Sequence, residues 1–314
     1  MSEMQMPTYK ATIAVITCHR PEWLNRLLVS LIAQETSNVE LELLVVDNAG
    51  EDATREVVQH IANKQVFPIT YYHEEQRGIV FARNRCVEEF LKTDSDFLLF
   101  IDDDEWPHET NWAQSLVTKQ VESNADIVTS HVISVKGEGT PDWAVDLIYG
   151  NNLLIENQSV SVFYTNNLLI KRNVLESIQP AFDKRFAMTG ASDYHFALKC
   201  IKAGYKAVYT DAPVEEEFPA SRAKVSWFLK RGFRSGIGFT RSHLFEDKFI
   251  KALTYCTAMA LVRLVRGIFK LILGIVTLNK TTFVDGLFRV CSFAGSLAGF
   301  FGIKHEEYNT IHGK

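Results

Sequence analysis

Short apolar runs and amphipathic stretches alternate along the first 130 residues. Thr12–Thr17 (TIAVIT), Leu41–Val46 (LELLVV), Ile69–Tyr72 (ITYY) and Phe97–Ile101 (FLLFI) are dominated by apolar residues and bounded by polar ones. This pattern predicts buried strands. Pro21 opens a segment in which Trp23, Leu24, Leu27, Leu28, Leu31 and Ile32 recur at the spacing of one helical face. Ala53–Ala62 and Val80–Leu91 predict two more helices. Alternation of this kind implies βαβ units and a mostly parallel α/β sheet with helices on both faces. Ligand crevices in such sheets lie beyond the carboxyl ends of the strands. The residues to inspect are therefore Cys18-His19-Arg20, Asp47-Asn48 and Asp102-Asp103-Asp104-Glu105.

From Asp126 to Glu217 the pattern is mixed and reads as a continuation of the same domain. Ile127–Val132, Val160–Leu169 and Ala207–Tyr209 predict strands, and Tyr194–Ala203 predicts a helix stopped by Gly204. After Arg222 the character changes. Between Lys248 and Val284 there are six basic residues and no acidic one. At 3.6 residues per turn, Lys248, Lys251, Arg263, Arg266 and Lys270 fall within an arc of about 120°. Phe249, Ile250, Leu253, Met259, Leu264, Phe269, Leu271 and Ile275 lie mostly outside that arc. A second apolar stretch, Phe283–Ile303, carries Ser292, Gly295, Ser296, Gly299 and Gly302 at helical small-residue spacing. Neither contains the roughly 18 uninterrupted apolar residues of a spanning helix. The expectation is that 245–304 form amphipathic helices in a membrane interface, with the basic stripe toward anionic headgroups. The alternative is packing on the rest of the chain or on a partner, including a second copy through the small-residue face.

Composition narrows the classes further. The 314 residues are 46% apolar and 23% charged, which excludes a disordered or collagen-like chain. The length allows about two domains, or one large α/β domain with an appendage. A formal charge of −5 supplies no domain-wide basic field, so a general nucleic-acid binder is not expected. Five widely spaced cysteines with no CxxC pair suggest neither a disulfide framework nor a structural zinc site. Met1–Tyr9 has no basic region leading into an apolar one, so no export signal is expected and the cytosol is the default.

Four carboxylates directly after a buried strand, Asp102 to Glu105, are electrostatically costly unless a positive charge sits among them. A divalent cation, Mn²⁺ or Mg²⁺, carried on phosphates fits that need with one or two carboxylate ligands. Alternation along an extended chain would aim Asp102 and Asp104 to one side and Asp103 to the other. No Ser/His/Asp or Cys/His arrangement stands out, and His73, His108 and His131 have no partner at metal-cage spacing.

Read together, five motifs resemble the family-2 inverting glycosyltransferases of the GT-A fold, particularly the bacterial enzymes that build exopolysaccharides such as succinoglycan. They are Val15-Ile16-Thr17-Cys18-His19-Arg20-Pro21, Val45-Val46-Asp47-Asn48, Arg77-Gly78-Ile79-Val80-Phe81-Ala82-Arg83-Asn84, Ile101-Asp102-Asp103-Asp104-Glu105-Trp106-Pro107 and Thr189-Gly190-Ala191-Ser192-Asp193. The resemblance runs from about Thr12 to Arg234 and implies a GT-A, Rossmann-like catalytic domain over 8–234. It implies that Thr17, Arg20 and Asp47 hold the uracil and ribose of a UDP-sugar. Arg83 would lie near the diphosphate or sugar, Asp102 and Asp103 would bind the donor, and Asp104 would ligate the metal. Asp193 would be the general base, although Ser192 stands where the family usually has Glu.

The resemblance further implies hexosyl transfer to a glycan or lipid-linked saccharide at the cytoplasmic face of the inner membrane, by a peripheral protein. Trp227 could flank an acceptor, and Glu217, Arg222 and Arg231 could close over the diphosphate. Each residue also has a plainer role: Thr17, Asp47 and Asp193 suit helix caps, Arg83 a surface helix, and Trp143 and Trp227 a core. Two other functions compete. A metal-dependent nucleotidyltransferase would share the sheet, but no Gly-rich phosphate loop follows the first strand. A non-catalytic membrane adaptor would use only the basic stripe.

Overall fold

The computed structural model describes residues 8–145, 147 and 155–303. Most of the amino-terminal segment read for an export signal, and Lys304, lie outside the described residues. In chain order the elements are β1 (Tyr9–Thr17), α1 (Pro21–Leu31), β2 (Val39–Asp47), α2 (Asp52–Ala62), β3 (Ile69–His73), α3 (Ile79–Phe90), β4 (Phe97–Asp102) and β5 (Glu105–Pro107). There follow α4 (Trp112–Ser123), β6 (Ile127–Thr129), β7 (Val132–Lys136), α5 (Asp142–Val145), β8 (Asn167–Lys171), α6 (Arg172–Ser177), α7 (Ser192–Lys202), β9 (Ala207–Tyr209) and β10 (Val214–Phe218). Three long helices close the described chain: α8 (Val225–Glu246), α9 (Phe249–Val276) and α10 (Lys280–Phe300). By internal contacts the described residues form two units. One lies within Met1–Ile133, Leu153–Lys184 and Cys200–Glu216, the other within Ser134–Asn152, Arg185–Lys199 and Glu217–Lys314.

The first unit is a seven-stranded sheet ordered β3-β2-β1-β4-β8-β6-β9. It is mostly parallel, with β8 antiparallel to both β4 and β6. A small second sheet has the order β5-β10-β7. Strands β1 and β4 are buried almost throughout because helices cover both faces, which is why their sequences are continuous apolar runs. Helix α1 starts with Pro21 in its first turn and buries Leu24, Leu27, Leu28 and Leu31, the face expected from their spacing.

Two strand expectations are corrected. Ile127–Val132 divides into β6 and β7, because the chain leaves the first sheet at Ser130-His131 and joins the second. Val160–Leu169 is a strand only from Asn167, where pairing with β4 and β6 begins; before it there is a single bridge, Ser159 to Val208.

The second unit is built on α8, α9 and α10. Asn279 caps α10 by accepting from Thr282 N at 2.8 Å, which turns the chain back after α9. Helices α9 and α10 run antiparallel: Gly274 lies against Phe283, Gly267 against Gly286, and Arg263 Nη1 donates to Ser296 Oγ at 2.9 Å. Helices α8 and α10 touch backbone to backbone. A Cβ on Gly236 would lie 2.1 Å from Ser292 O, and one on Gly295 would lie 1.9 Å from Phe233 O. Among the described residues α10 is the one helix long and apolar enough to cross a membrane, although it packs on both α8 and α9. The basic stripe does not face outward as a whole. Arg263 also lies 4.1 Å over the Phe239 ring, and Lys270 pairs with Asp285, while Lys248, Lys251 and Arg266 are exposed. Small residues on α9 let it approach α10, which draws the adjoining cations inward.

Candidate active site

Parallel register sets Thr17 opposite Asp47 and Ile16 opposite Asp102, so the carboxyl ends of β2, β1 and β4 converge. Thr17 Oγ1 donates to Asp103 Oδ2 at 2.8 Å. Arg20 Nη1 donates to Asp103 Oδ1 at 2.8 Å and to Asp104 Oδ2 at 3.1 Å. Exposure alternates along the acidic run, with Asp103 buried and Asp102 and Asp104 half-buried, although the strand itself does not continue through it. Strand β4 ends at Asp102, and Asp103 and Asp104 form a turn in which one guanidinium gathers both. Asp103 is only 6% exposed, and its two oxygens accept from Thr17 and Arg20, so it holds those two side chains together. Burial pushes its carboxyl up to about 6, against the charge of Arg20 and with a further rise from Asp104. Burial also holds Glu105 well above its ordinary value, reinforced by Asp102, Glu216 and Asp104, while Asn166 Nδ2 donates to it at 3.1 Å.

Asp47 is entirely buried. Its Oδ1 accepts from Ala49 N at 2.8 Å, and its Oδ2 accepts from Glu51 N at 3.1 Å and from the Tyr71 hydroxyl at 3.0 Å. Asp47 therefore does cap the turn into α2, and a carboxylate's roughly four acceptor positions leave one for a further donor. Burial and the bond to Asp47 push Tyr71 up to about 12. Beside it, Asn48 accepts from Gly78 N at 2.8 Å and donates to Glu74 O and Gln76 O, fixing the loop that opens α3. On α3, Arg83 is not a surface charge: it is 5% exposed, with its guanidinium 5.6 Å from the Phe182 ring centre. Asn84 exchanges two hydrogen bonds with the Phe182 backbone, which gives that motif residue a structural task.

Asp102 and Asp104 are half-buried at the sheet edge, and no three His, Cys, Asp or Glu side chains among the described residues are grouped to hold a metal. Such a donor set suits a divalent cation that arrives with phosphate oxygens and takes one or two carboxylates. Arg20 already neutralises part of the cluster. Burial lowers its pKa, but Asp103 and Asp104 outweigh that and raise it above its ordinary value.

Asp193 belongs to the second unit, in the first turn of α7, where its Oδ1 accepts from Tyr194 N at 2.8 Å. The helix that carries it and α8 share a network of polar side chains. His195 Nε2 meets Glu246 Oε1 at 2.8 Å, Tyr194 Oη meets His243 Nε2 at 3.1 Å, and His243 Nδ1 meets Asp247 Oδ2 at 2.9 Å. Arg241, 5% exposed, donates to Thr189 Oγ1 and Arg185 O. The one available signal was the polar run Arg241-Ser242-His243 inside an apolar stretch of α8. Trp143 and Trp227 pack with Phe218, Phe228 and Val284, the plainer role for both, and Arg231 lies 5.2 Å over Trp227.

A cavity of about 450 Å³ lies at the other edge of the sheet, lined by residues including Tyr9, Phe97, Lys171 and Arg172. Tyr9 and Phe97 are the first residues of β1 and β4, so this cavity is remote from the carboxyl ends where ligands bind, and Arg172 there is spent on the carbonyls of Ser95, Thr93 and Phe90.

The chain is 30% identical over 236 residues to the succinoglycan biosynthesis protein ExoM of Rhizobium meliloti, covering 74% of this chain and 75% of that protein. The mannosyltransferase PcManGT from Pyrobaculum calidifontis, solved with GDP-Man and Mn²⁺, superposes with a TM-score of 0.65 at 17% identity, over 95% of this chain and 88% of that one. S. aureus TarS 1-349, solved with UDP-GlcNAc, superposes at 0.53 with 16% identity, over 92% of each chain. These two likenesses show the GT-A type of mixed α/β fold. Residues 12–179, more than half the chain, match the description "Glycosyl transferase family 2", and the chain is a glycosyltransferase belonging to that family.

Proposed function

We propose that this glycosyltransferase moves a hexose from a UDP-sugar to a glycan acceptor carried on a membrane lipid, inverting the anomeric centre, in cell-surface or exopolysaccharide biosynthesis. The observation that carries the proposal is the Thr17–Asp103–Arg20–Asp104 constellation beside Asp47 at the carboxyl edge of the sheet. The catalytic domain spans 8–234 and the membrane-associating helices 245–304, at the cytoplasmic face of the inner membrane.

Thr17, Arg20 and Asp47 hold the uracil and ribose, with the remaining acceptor position of Asp47 taking the base N3–H. Asp102 contacts the ribose or sugar, and Arg83 steadies the diphosphate side of the pocket. Asp104 holds a divalent cation, Mn²⁺ or Mg²⁺, which when bound stabilises negative charge on a diphosphate. The Asp193 carboxylate takes the proton of the acceptor hydroxyl as that oxygen attacks the anomeric carbon and the bond to the UDP oxygen breaks. Membrane contact is supported by α9, whose outer face exposes Val265, Phe269 and Val276 at 67%, 64% and 75%. No acidic residue interrupts α9, and exposed Lys248, Lys251 and Arg266 suit anionic headgroups.

Calorimetry with UDP or GDP plus Mn²⁺, together with nucleotide release from the matching sugar nucleotides, tests the proposal. Asp193→Asn is expected to keep UDP affinity while turnover falls about 10²- to 10⁴-fold. Asp104→Asn is expected to lose the Mn²⁺-dependent part of UDP binding. Unchanged turnover in both variants overturns the proposal, and a preference for GDP corrects the donor.

A further inference from the structure

We propose that Gly238 and Arg241 of α8 are positioning residues for Asp193. The inference rests on Asp193 being the general base. The segment leading to it, Arg185–Ala191, ends in two consecutive left-handed residues, Gly190 at φ +72° and Ala191 at φ +68°. Glycine adopts that conformation freely, but alanine is disfavoured there because its Cβ crowds the backbone. Something outside the segment has to hold Ala191 in place.

Helix α8 supplies the hold at two points. A Cβ on Gly238 would lie 2.4 Å from the Ala191 Cβ, so the missing side chain of Gly238 is the seat of that methyl group. Three residues on, Arg241 Nη1 donates to Thr189 Oγ1 at 2.9 Å and Nη2 donates to Arg185 O at 3.0 Å. The Phe186 and Phe245 rings lie 5.1 and 5.6 Å from its guanidinium carbon, and the group is 5% exposed. Arg185, Thr189 and Ala191 are thus fixed to one rigid helix. Ser192 and Asp193 follow directly, so the direction of the carboxylate is set by α8. Downstream, the His195–Glu246 contact ties the next turn of α7 to the same helix. Arginine suits this post because its planar fork holds two donors in fixed geometry, whereas the lysine ammonium is a single point on a flexible stem.

The test compares Gly238→Ala, the double variant Gly238→Ala/Ala191→Gly, and Arg241→Lys. Turnover is read as UDP release from the best wild-type donor among UDP-glucose, UDP-galactose and UDP-N-acetylglucosamine with Mn²⁺. UDP affinity is read by calorimetry, and hydrogen exchange is followed over 185–195. Gly238→Ala is expected to lower kcat about 100-fold, the effect of displacing a reacting group by about 1 Å, with UDP affinity unchanged. Removing the Ala191 methyl in the double variant is expected to recover most of that loss and return the segment's exchange to the wild-type rate. Arg241→Lys is expected to lower kcat roughly tenfold, the worth of one lost hydrogen bond, and to speed exchange in the same segment.

Wild-type kcat in Gly238→Ala, or a double variant as impaired as the single one, overturns the inference. If Gly238→Ala does not fold, the folded double variant and Arg241→Lys decide by the same readouts. Full turnover in Asp193→Asn overturns the base assignment and the inference together. An inactive Asp193→Asn beside a fully active Gly238→Ala overturns only the seat.

Discussion

The sheet of the first unit and α9 of the second obey opposite rules of side-chain size. In the first, large apolar groups are inside: Leu98, Leu99, Phe100 and Ile101 on β4 and Leu24, Leu27, Leu28 and Leu31 on α1 are at most 2% exposed. On α9 of the second, the buried positions are Ala252, Cys256, Ala260, Gly267 and Gly274, and the large side chains are outside. In water each buried large side chain contributes about 1.5–3 kcal/mol, so a helix arranged like α9 forgoes that stabilisation. Its gain is close backbone approach and dispersion contact, the means by which helices associate where the surroundings are themselves apolar. Glycine seats such as Gly236 and Gly295 therefore carry the packing that leucine carries elsewhere.

Substitutions sharpen this contrast, and the largest effect is expected on the outer face of α9. The triple variant Val265→Ser, Phe269→Ser, Ile272→Ser should lose about 10³-fold in partitioning to anionic vesicles, roughly tenfold for each apolar side chain withdrawn from lipid. Thermal stability in detergent-free buffer should change little, because these side chains are exposed. Equal vesicle sedimentation of variant and wild type would break the contrast. Next comes Leu99→Ala in β4, a large-to-small change at a fully buried position, which should cost about 2–5 kcal/mol in denaturant unfolding.

Gly236→Ala is the mirror-image substitution. The added methyl would meet Ser292 O, and overpacking of this kind costs about 1–3 kcal/mol. A stabilised Gly236→Ala protein would show that the helices have room to separate. The smallest effect is electrostatic and belongs to the first unit. Burial favours the neutral form of Glu89, but bonds from Lys92 and Tyr72 and the charges of Arg85 and Lys92 outweigh it and hold its carboxyl below the ordinary 4.5. A carboxylate depressed on folding stabilises above its unfolded pKa and loses that contribution as pH falls through its folded value. The stability of wild type relative to Glu89→Gln should therefore be constant above about pH 5.5 and shrink below 4.5. A difference independent of pH across that window would contradict the assignment.

Much of the sheet was legible because burial on both faces demands continuous apolar runs, and β1, β2 and β4 show them; β3, expected to be buried, is an edge strand with no buried residue. The amphipathic helices between them were equally plain, since one apolar face must repeat at helical spacing. The Val160–Leu169 stretch misled because its apolar residues pack from irregular chain, and strand pairing starts only where β4 and β6 offer partners. In the acidic run exposure alternates as an extended chain would have it, but the turn at Asp103 was not legible. Arg20, a distant residue in sequence, decided which carboxylates stand together.

Local pattern determined the α/β class, the helices and the set of residues placed at strand ends, because hydrophobic period and chain direction act over a few neighbours. Tertiary structure alone decided that Asp103 bonds Thr17 and Arg20, that Arg263 and Lys270 bind within the helical unit, and that α8 carries the seat for the turn before Asp193. These depend on which distant groups come within hydrogen-bond or van der Waals reach, and side-chain order along one chain does not encode that distance until the backbone closes it.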